Sequence, residues 1–335
     1  MLLHVYYLYH IESHILLAKL LVQHTFADKV FFCNSGAEAI EAALKLARKY
    51  AKERWSSDRY EIIVMRNSFH GRTFGALTAT AQEQYHQGFE PLLPGFKYIP
   101  FNDLEAVERA LDARTAAILV EPIQGEGGVN VPSDDYLPGL RKLCDETGTL
   151  LIFDEVQTGF GRTGKLFAYE HWGVEPDVMA VAKALAGGIP MGAMLAKEEV
   201  ARHFIPGSHA STFGGSPFVS AVALAAFSAI LEEDLPGRAA KLGSYLVSKL
   251  EELKGQYLFI KEVRGKGLLL AMELEPALSE AEGADAKAVV KRCLEKGLLL
   301  NAVSERTLRF LPPLTIEEAE IDRGVAILDE VLGEI

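Results

Sequence analysis

The sequence predicts an α/β protein organised around a parallel sheet, with a smaller α+β unit at its C-terminal end. Short uninterrupted apolar runs recur along the chain, and such runs indicate strands buried on both faces of a parallel sheet. They lie within residues 29–33, 62–65, 116–120, 150–153 and 178–182. Amphipathic helical patterns separate them. After about residue 235, strands and helices are mixed over about 95 residues, which is the size of a small domain.

The remaining elements follow from periodicity and length. Helices are predicted at residues 15–22, 39–50, 239–253, 286–296 and 316–332. The apolar segment 218–231 is too short to cross a bilayer, so we expect a buried helix there. Further strands are expected at 298–301 and 308–311, with two more inside 260–273. We therefore predict a large domain over residues 1–235 and a small C-terminal domain over residues 236–335.

The composition narrows the function classes. The chain has 335 residues, of which 49% are hydrophobic and 24% are charged, so it is long enough for a large core and a second domain. The net charge of −12 argues against a nucleic-acid partner. Cys33, Cys144 and Cys293 are odd in number and lack CxxC spacing, which favours a reducing cytoplasm without disulfides or zinc. The N-terminus lacks the basic segment of a signal peptide, and a soluble cytoplasmic protein is expected.

Segment 150–188 carries the strongest chemical signal. Asp154 follows the apolar run at 150–153, and Lys183 follows the run at 178–182. Open α/β sheets bind ligands at the carboxyl ends of their strands. A carboxylate that keeps a pyridinium nitrogen protonated, together with a lysine that forms a Schiff base, is the pair that pyridoxal phosphate requires. An ordinary ion pair between the two side chains is the alternative.

The loop Gly159-Phe-Gly-Arg-Thr-Gly-Lys165 offers a competing interpretation, because its glycines match nucleotide-binding patterns. The context argues against that function. Leu166 stands where a magnesium-binding Ser or Thr is needed, and no capped amphipathic helix follows. We therefore predict a turn-rich loop.

The helix predicted at 39–50 begins with a possible anion site. Ser35 and Glu38 have the spacing of a capping box. Ser35, Gly36 and Ala37 also combine small side chains with N–H groups at the positive end of a helix, which suits a phosphate. The spacing alone does not distinguish a well-capped helix from a phosphate site.

Other predicted strand ends carry aromatic or charged residues. Phe69 and Arg72 follow the strand at 62–65, where the ring could stack on a flat ligand and the guanidinium could meet an anion. Packing, with a satisfied hydrogen bond for the adjacent histidine, is the alternative. The strand at 116–120 runs into a glycine-rich loop with acids, which includes Glu126. Arg309 lies beside Pro312-Pro313 near the end of the C-terminal unit. A surface ion pair is the usual role of an arginine and is the alternative for this residue.

Seven motifs resemble, in order and spacing, those of the class III (ornithine-type) pyridoxal-phosphate-dependent aminotransferases. They are FFCNSGAEA, NSFHGRT, EPIQGEGG, LLIFDEVQTGFGRTG, AVAKALAGG, STFGG and LRFLPP. Any one of them is a weak signal, whereas seven in order are specific. The resemblance implies the type I aminotransferase fold, which has a mostly parallel seven-stranded sheet in a large domain and a small α+β domain. It also implies a homodimer that shares two active sites.

The resemblance further implies roles for single residues. Lys183 is implied as the Schiff-base lysine and proton shuttle, with burial and a cationic cofactor favouring its neutral form, and Asp154 as the partner of the pyridinium nitrogen. The other implied cofactor ligands are Gln157 at the phenolic oxygen, Phe69 and Val156 on the two ring faces, and Ser35, Gly36, Ala37 and a Thr212 from the partner subunit at the phosphate.

The implied substrate-binding residues are Arg309, Glu126 and Arg72. Arg309 would bind the substrate α-carboxylate, and Glu126 would pair with Arg309 in one half-reaction and release it in the other. Arg72 is implied for a distal carboxylate or acyl group.

The resemblance implies transfer of an ω-amino group from N-acetylornithine to 2-oxoglutarate, a step of arginine biosynthesis. Ornithine, succinylornithine, acetyl-lysine and 4-aminobutyrate are alternative donors, and a truncated, non-catalytic pyridoxal-phosphate-binding relative is an alternative of another class. The segment that normally opens the family's chain is not matched, and Tyr6-Tyr7 replaces the usual Ser-Asn. We expect these departures to affect substrate choice and dimer stability rather than the core chemistry.

Overall fold

A computed structural model describes residues 3–5, 8–275 and 285–335. The chain divides into two compact units. Unit 1 comprises Met1–Pro122, Pro132–Phe160 and Tyr169–Glu232, and unit 2 comprises Ile123–Val131, Gly161–Ala168 and Glu233–Ile335. Two short segments from the first half of the chain thus belong to unit 2. The domain boundary expected at residue 235 stays a prediction, and Tyr6 and Tyr7 lie outside the described residues.

Unit 1 contains a seven-stranded, mostly parallel sheet. Its strands are β1 (Lys29–Cys33), β2 (Glu61–Met65), β3 (Phe96–Ile99), β4 (Thr115–Val120), β5 (Leu150–Asp154), β6 (Val178–Val181) and β7 (Gly192–Ala196). They lie in the order β1-β7-β6-β5-β4-β2-β3. Only β7 runs antiparallel to its neighbours in this sheet. The central strands are buried on both faces, as their apolar composition predicts.

The helices of unit 1 are α1 (Glu12–Gln23), α2 (Gly36–Arg54), α3 (Phe74–Ala79), α4 (Glu83–His86), α5 (Leu104–Ala110), α6 (Tyr136–Thr147), α7 (Glu198–Ala201) and α8 (Pro217–Glu232). Short 3₁₀ turns occur at Ala168–His171 and Lys183–Ala186. The alanine-rich face of α2 packs on the sheet, in a core that includes Ile40, Ala43 and Ala47. The parallel crossovers bring the carboxyl ends of β2, β4, β5 and β6 to one edge of the sheet.

Unit 2 is built on a four-stranded antiparallel sheet in the order β10-β11-β9-β8. Its strands are β8 (Ile260–Lys266), β9 (Leu269–Leu274), β10 (Asn301–Ala302) and β11 (Thr307–Phe310), and its helices are α9 (Leu235–Gln256), α10 (Ala286–Glu295) and α11 (Glu318–Leu332). The core combines helix residues such as Leu250 and Leu328 with strand residues such as Leu270 and Met272. The predicted α+β character of this part of the chain is confirmed.

Two predicted elements differ from the structure. The strand expected at 298–301 is shifted to Asn301–Ala302, because only these residues pair with β11. The helix expected at 218–231 is present as α8, but the prediction that it is buried is wrong for the single chain. Its buried residues lie on one side, and Phe218 is 41% exposed. Within the described ranges, every helix is too short or too polar to traverse a bilayer.

Candidate active site

Asp154 is the last residue of β5 and is buried. Its Oδ2 lies 2.7 Å from Nδ1 of His70, and its Oδ1 accepts the Val156 N–H at 3.0 Å. A carboxylate has no proton to give, so the imidazole must donate from Nδ1. The two contacts hold the carboxylate in one orientation. The alternative of an ordinary Asp154–Lys183 ion pair does not account for this contact.

His70 is the partner that sequence reasoning missed. The sequence favours a satisfied hydrogen bond for this histidine, but nothing in its local sequence points to Asp154. The side chain is fully buried, and its main-chain N–H donates to the Thr80 hydroxyl at 2.8 Å. Its Nε2 is buried and has no hydrogen-bond partner in the described part of the chain. The ring therefore has one strong contact, and that contact orients Asp154.

Glu155, the second acid after β5, has a different environment. It is completely buried. Its Oε1 accepts the Tyr169 N–H at 2.8 Å, and its Oε2 accepts the Thr158 hydroxyl at 2.5 Å. Both oxygens therefore bind groups on the chain that follows the strand, which indicates a structural role for Glu155.

Lys183 follows β6 with an unusual backbone. Its φ is +45°, in the left-handed region that residues other than glycine seldom adopt. It begins the 3₁₀ turn Lys183–Ala186, which ends at Gly187 with φ +59°. The lysine is exposed in the single chain. The burial expected for this lysine is therefore absent from the single chain, and the expectation that its neutral form is favoured stays a prediction.

The start of α2 is capped in a way that differs from the predicted box. Ser35 Oγ accepts the Glu38 N–H at 3.2 Å, as predicted. The Glu38 carboxylate accepts the N–H of Asn34 rather than that of Ser35. The N–H groups of Gly36 and Ala37 lie in the first turn, where no helical carbonyl precedes them. The cap leaves these groups directed along the positive end of the helix, where an anion is favoured.

Glycine positions bring three further motifs to this helix start. A Cβ on Gly36 would lie 2.8 Å from a Val156 methyl group and 3.5 Å from Cβ of Ala182. The main chain of α2 therefore approaches the residues that follow Asp154 and precede Lys183. Gly71, with φ +131°, similarly approaches Ala37, because an added Cβ would lie 2.7 Å from the alanine Cβ. Residues far apart in sequence thus form one compact cluster in unit 1.

Phe69 and Arg72 lie on the loop that follows β2. The Phe69 N–H donates to Oε2 of Glu121 at 3.1 Å, which fixes this loop to the end of β4. The Arg72 guanidinium carbon lies 4.0 Å from the centroid of the Tyr85 ring and 5.4 Å from that of Phe69. Arg72 is exposed, and in the described ranges it has no carboxylate partner. Both residues follow the carboxyl end of β2, and their contacts with a cofactor or substrate stay predictions.

The remaining candidates of unit 1 are Val156, Gln157 and Thr212. Val156 and Gln157 follow Glu155 and are half-buried, and their contacts with a cofactor stay predictions. Thr212 is exposed and helps to line a cavity of about 400 Å³ with Asn34 and Glu38. Its predicted contact belongs to a second subunit and stays a prediction.

Unit 2 contains Glu126 and Arg309. Arg309 lies in β11, paired with Asn301 of β10 and Ala271 of β9. Its Nη1 donates to Oε1 of Glu126 at 2.6 Å. The arginine side chain is only 7% exposed, so the alternative of a surface ion pair is wrong. The guanidinium is thus buried, and its charge is paired with a half-buried carboxylate.

The loop that carries Glu126 is anchored within unit 2. Gln124 and Asn130 exchange main-chain hydrogen bonds of 3.1 Å, which closes the loop. Arg264 of β8 then donates to the carbonyl oxygen of Gly128 at 2.8 Å. The glycine-rich loop at 159–165 has the turns predicted for it. The Gly161 N–H donates to the Leu166 carbonyl oxygen and the Gly164 N–H donates to the Gly161 carbonyl oxygen, both at 3.0 Å.

The sequence profile of the family described as Aminotransferase class-III matches residues 1–332. The chain belongs to the class-III aminotransferases. It is 52% identical to the acetylornithine aminotransferase of Caldanaerobacter subterraneus subsp. tengcongensis, over 100% of this chain and 83% of that protein. It is 50% identical to that of Methanocaldococcus jannaschii, over 100% of this chain and 82% of the relative.

A solved aminotransferase structure confirms the architecture. The ornithine aminotransferase of Toxoplasma gondii, crystallised in the presence of oxidised glutathione and with partial occupancy of pyridoxal phosphate at its active site, superposes with a TM-score of 0.93. It is 36% identical, and the match covers 98% of this chain and 78% of the other. The predicted type I aminotransferase fold is therefore confirmed.

Proposed function

We propose that this class-III aminotransferase is a pyridoxal-phosphate-dependent transaminase that moves the ω-amino group of N-acetylornithine to 2-oxoglutarate. The products are N-acetylglutamate semialdehyde and glutamate, in arginine biosynthesis. The observation that carries the proposal is the cluster of unit 1, where Gly36 of the helix start adjoins both Val156 after Asp154 and Ala182 before Lys183. The acetylornithine aminotransferases at 52% and 50% identity support the donor, whereas the ornithine aminotransferase is 36% identical.

The residues of unit 1 fit this cofactor. The first turn of α2 offers main-chain N–H groups to a phosphate, and Gly36 leaves no room for a side chain, because an added Cβ would lie 2.8 Å from a Val156 methyl group. Asp154 is buried, accepts hydrogen bonds from His70 Nδ1 and the Val156 N–H, and suits a protonated ring nitrogen. Phe69 and Val156 would contact the ring faces, and Gln157 would bind the phenolic oxygen. Thr212 of a second subunit would complete the phosphate site.

Bound pyridoxal phosphate supplies an electron sink and carries the amino group between the two half-reactions. Asp154 would keep a negative charge beside the ring nitrogen, and His70 holds the carboxylate by its hydrogen bond. Lys183 Nζ moves the proton to and from the carbon that bears the amine. Because the exposed lysine needs to be neutral for this, coverage by cofactor and substrate has to favour the uncharged amine.

Unit 2 would distinguish the two substrates. When 2-oxoglutarate is bound, Glu126 would release Arg309, and Arg309 would bind the α-carboxylate of that substrate. When the ω-amine donor is bound, the hydrogen bond between Arg309 and Glu126 would stay formed. Arg72 would bind the distal carboxylate or acyl group. Exchange of one carboxylate for another at a largely desolvated guanidinium requires no net change of charge.

Borohydride reduction tests the cofactor assignment. The purified protein is incubated with pyridoxal phosphate, reduced and digested, and the label should map to Lys183 alone. Lys183→Arg is the matched control, since it keeps the charge and should take up no label. A label on another lysine, or none, contradicts the assignment.

A glutamate-forming assay with 2-oxoglutarate tests the donor. N-acetylornithine should give the highest kcat/KM in a panel with ornithine, succinylornithine, acetyl-lysine and 4-aminobutyrate. A higher value for another donor would replace the substrate assignment. Labelling at Lys183 without turnover of any donor would favour a non-catalytic relative.

We further propose a cytoplasmic homodimer. Cys33, Cys144 and Cys293 are unpaired and buried, which suits a reducing compartment. Exposed aromatic residues on unit 1, including Phe74 at 64% and Phe213 at 58%, support burial in a subunit interface. Light scattering of the purified protein should give twice the monomer mass, and a monomer would reject the dimer.

A further inference from the structure

Tyr85 lies in the short helix α4 and contacts two candidate site residues with one ring. The face of the ring lies 4.0 Å from the Arg72 guanidinium carbon. The same ring meets Phe69 in a T-shaped arrangement, with centroids 5.9 Å apart. Neither the sequence motifs nor the family resemblance assigned a function to Tyr85.

Hydrogen bonds fix the segment that carries Tyr85. Gln82 Nε2 donates to the Ser68 carbonyl oxygen at 3.0 Å, which ties the start of α4 to the loop that follows β2. His86 Nε2 lies 2.7 Å from the Thr80 carbonyl oxygen and 3.0 Å from that of Leu77, at the end of α3. The residues on both sides of Tyr85 are therefore anchored, and the ring has little freedom to move away from Arg72.

The contact uses the ring rather than the hydroxyl group. The Tyr85 hydroxyl makes no hydrogen bond within the described part of the chain, whereas the ring face is covered by the guanidinium. A stacked guanidinium keeps its N–H groups at the edge, so it can still bind a carboxylate in two places. An exposed arginine side chain otherwise loses rotamer entropy when it binds a ligand, and stacking removes part of that cost in advance.

We propose that Tyr85 is a positioning residue that holds Arg72 ready for the substrate group remote from the transferred amine. This inference rests on the proposed function, and it deepens that function by naming the residue that sets the affinity for the distal carboxylate or acyl group. Tyr85 acts through Arg72, and it does not touch the reacting atoms.

A double-mutant cycle in the cofactor-loaded protein tests the proposal. The probe is glutarate, a five-carbon dicarboxylate that resembles 2-oxoglutarate but cannot react, and its Kd is measured by calorimetry. Tyr85→Leu should weaken glutarate binding about three- to tenfold, since cation–π contacts contribute on that scale. Tyr85→Phe retains the ring and should stay within about twofold of the parent. In an Arg72→Leu background, Tyr85→Leu should have almost no further effect, because the two residues act as one unit.

Steady-state kinetics supply an independent measurement. Tyr85→Leu should raise KM for 2-oxoglutarate and leave kcat and cofactor absorbance close to the parent. The proposal is overturned if Tyr85→Leu weakens glutarate binding equally in the parent and in the Arg72→Leu background. It is also overturned if Tyr85→Phe weakens glutarate binding as much as Tyr85→Leu does. An unchanged glutarate Kd in Arg72→Leu also overturns it, even when transamination and Lys183 labelling are intact. Tyr85→Met gives the same comparison if the leucine variant does not fold, because methionine fills irregular spaces.

Discussion

His70 Nδ1 lies 2.7 Å from Asp154 Oδ2, although 84 residues separate the two along the chain. The contact joins the loop after β2 to the end of β5, and the histidine that makes it is fully buried. A buried hydrogen bond to a charged group contributes about 1.5–3 kcal/mol. The orientation of the acid therefore depends on a residue that need not touch the cofactor.

Replacement of His70 should slow the chemistry while the fold persists. His70→Phe retains a flat ring but removes the donor, so we expect each half-reaction to slow about 10- to 100-fold. His70→Asn offers an amide donor at a similar distance from the backbone and should recover part of that loss. Single-turnover spectra with N-acetylornithine and glutamate measure both rates. Equal rates in the asparagine and phenylalanine variants would show that the hydrogen bond is unimportant.

Asp154→Asn tests the acid itself. The amide is nearly isosteric and can still accept one of the two hydrogen bonds, so we expect a folded protein that binds the cofactor. The substitution removes the negative charge that we propose for the ring nitrogen, and most of the half-reaction rate should be lost with it. Glu155→Gln is a useful comparison, since it changes the neighbouring acid that only holds the loop. A parent-like rate in Asp154→Asn would assign Asp154 a structural role.

The Glu126–Arg309 pair predicts a change in substrate preference. Glu126→Ala leaves Arg309 available at all times, so cofactor binding should be intact and the half-reaction with glutamate should be faster. Selectivity for the ω-amine donor should fall. Glu126→Gln keeps the size of the side chain and a hydrogen-bond acceptor, and should give a smaller change in the same direction. Rates that fall equally for both substrates, or do not change, are incompatible with a gate.

The cysteines predict how stability depends on pH. Burial raises the pKa of the Cys33 thiol to about 12 and that of Cys293 to about 11, and it raises the pKa of Cys144 as well. In the unfolded chain these thiols ionise near their ordinary value of 9.0. The native state then holds more protons than the unfolded state, so the free energy of unfolding should fall as the pH rises above about 9.

Urea unfolding at several pH values measures this slope. Cys33→Ala removes one contributing thiol and should flatten the dependence. Thiol labelling gives a second measurement, since the native protein should resist a disulfide reagent at about pH 8, where buried thiols are protonated. The unfolded chain should expose all three thiols. Rapid labelling of the native protein would contradict the burial.

The sequence was most informative where burial alone determines structure. The runs at 29–33, 62–65 and 150–153 correspond to strands β1, β2 and β5, because a strand covered on both faces admits few polar residues. Capping chemistry likewise located the start of α2, since the Ser35 hydroxyl meets the Glu38 N–H. Asp154 and Lys183 could be identified as strand-end residues because each directly follows an apolar run.

Contacts between distant segments could not be predicted in this way. Nothing near His70 distinguishes Asp154 from other acids, and nothing near Tyr85 indicates that Arg72 covers its ring. Such contacts depend on crossovers and loop geometry, which local patterns do not encode. The exposure of Lys183 and the burial of only one side of α8 also depend on which distant segments pack against these residues. The apolar content of α8 could not reveal which of its faces meets the rest of unit 1.

The left-handed backbone of Lys183 has a consequence for protein engineering. An L-residue other than glycine in this conformation costs on the order of 1 kcal/mol, and asparagine and glycine tolerate it better. The fold therefore accepts a local penalty at the one amine assigned to proton transfer. Directed evolution that selects only for thermostability would enrich glycine or asparagine at position 183, and the most stable variants would have no transaminase activity.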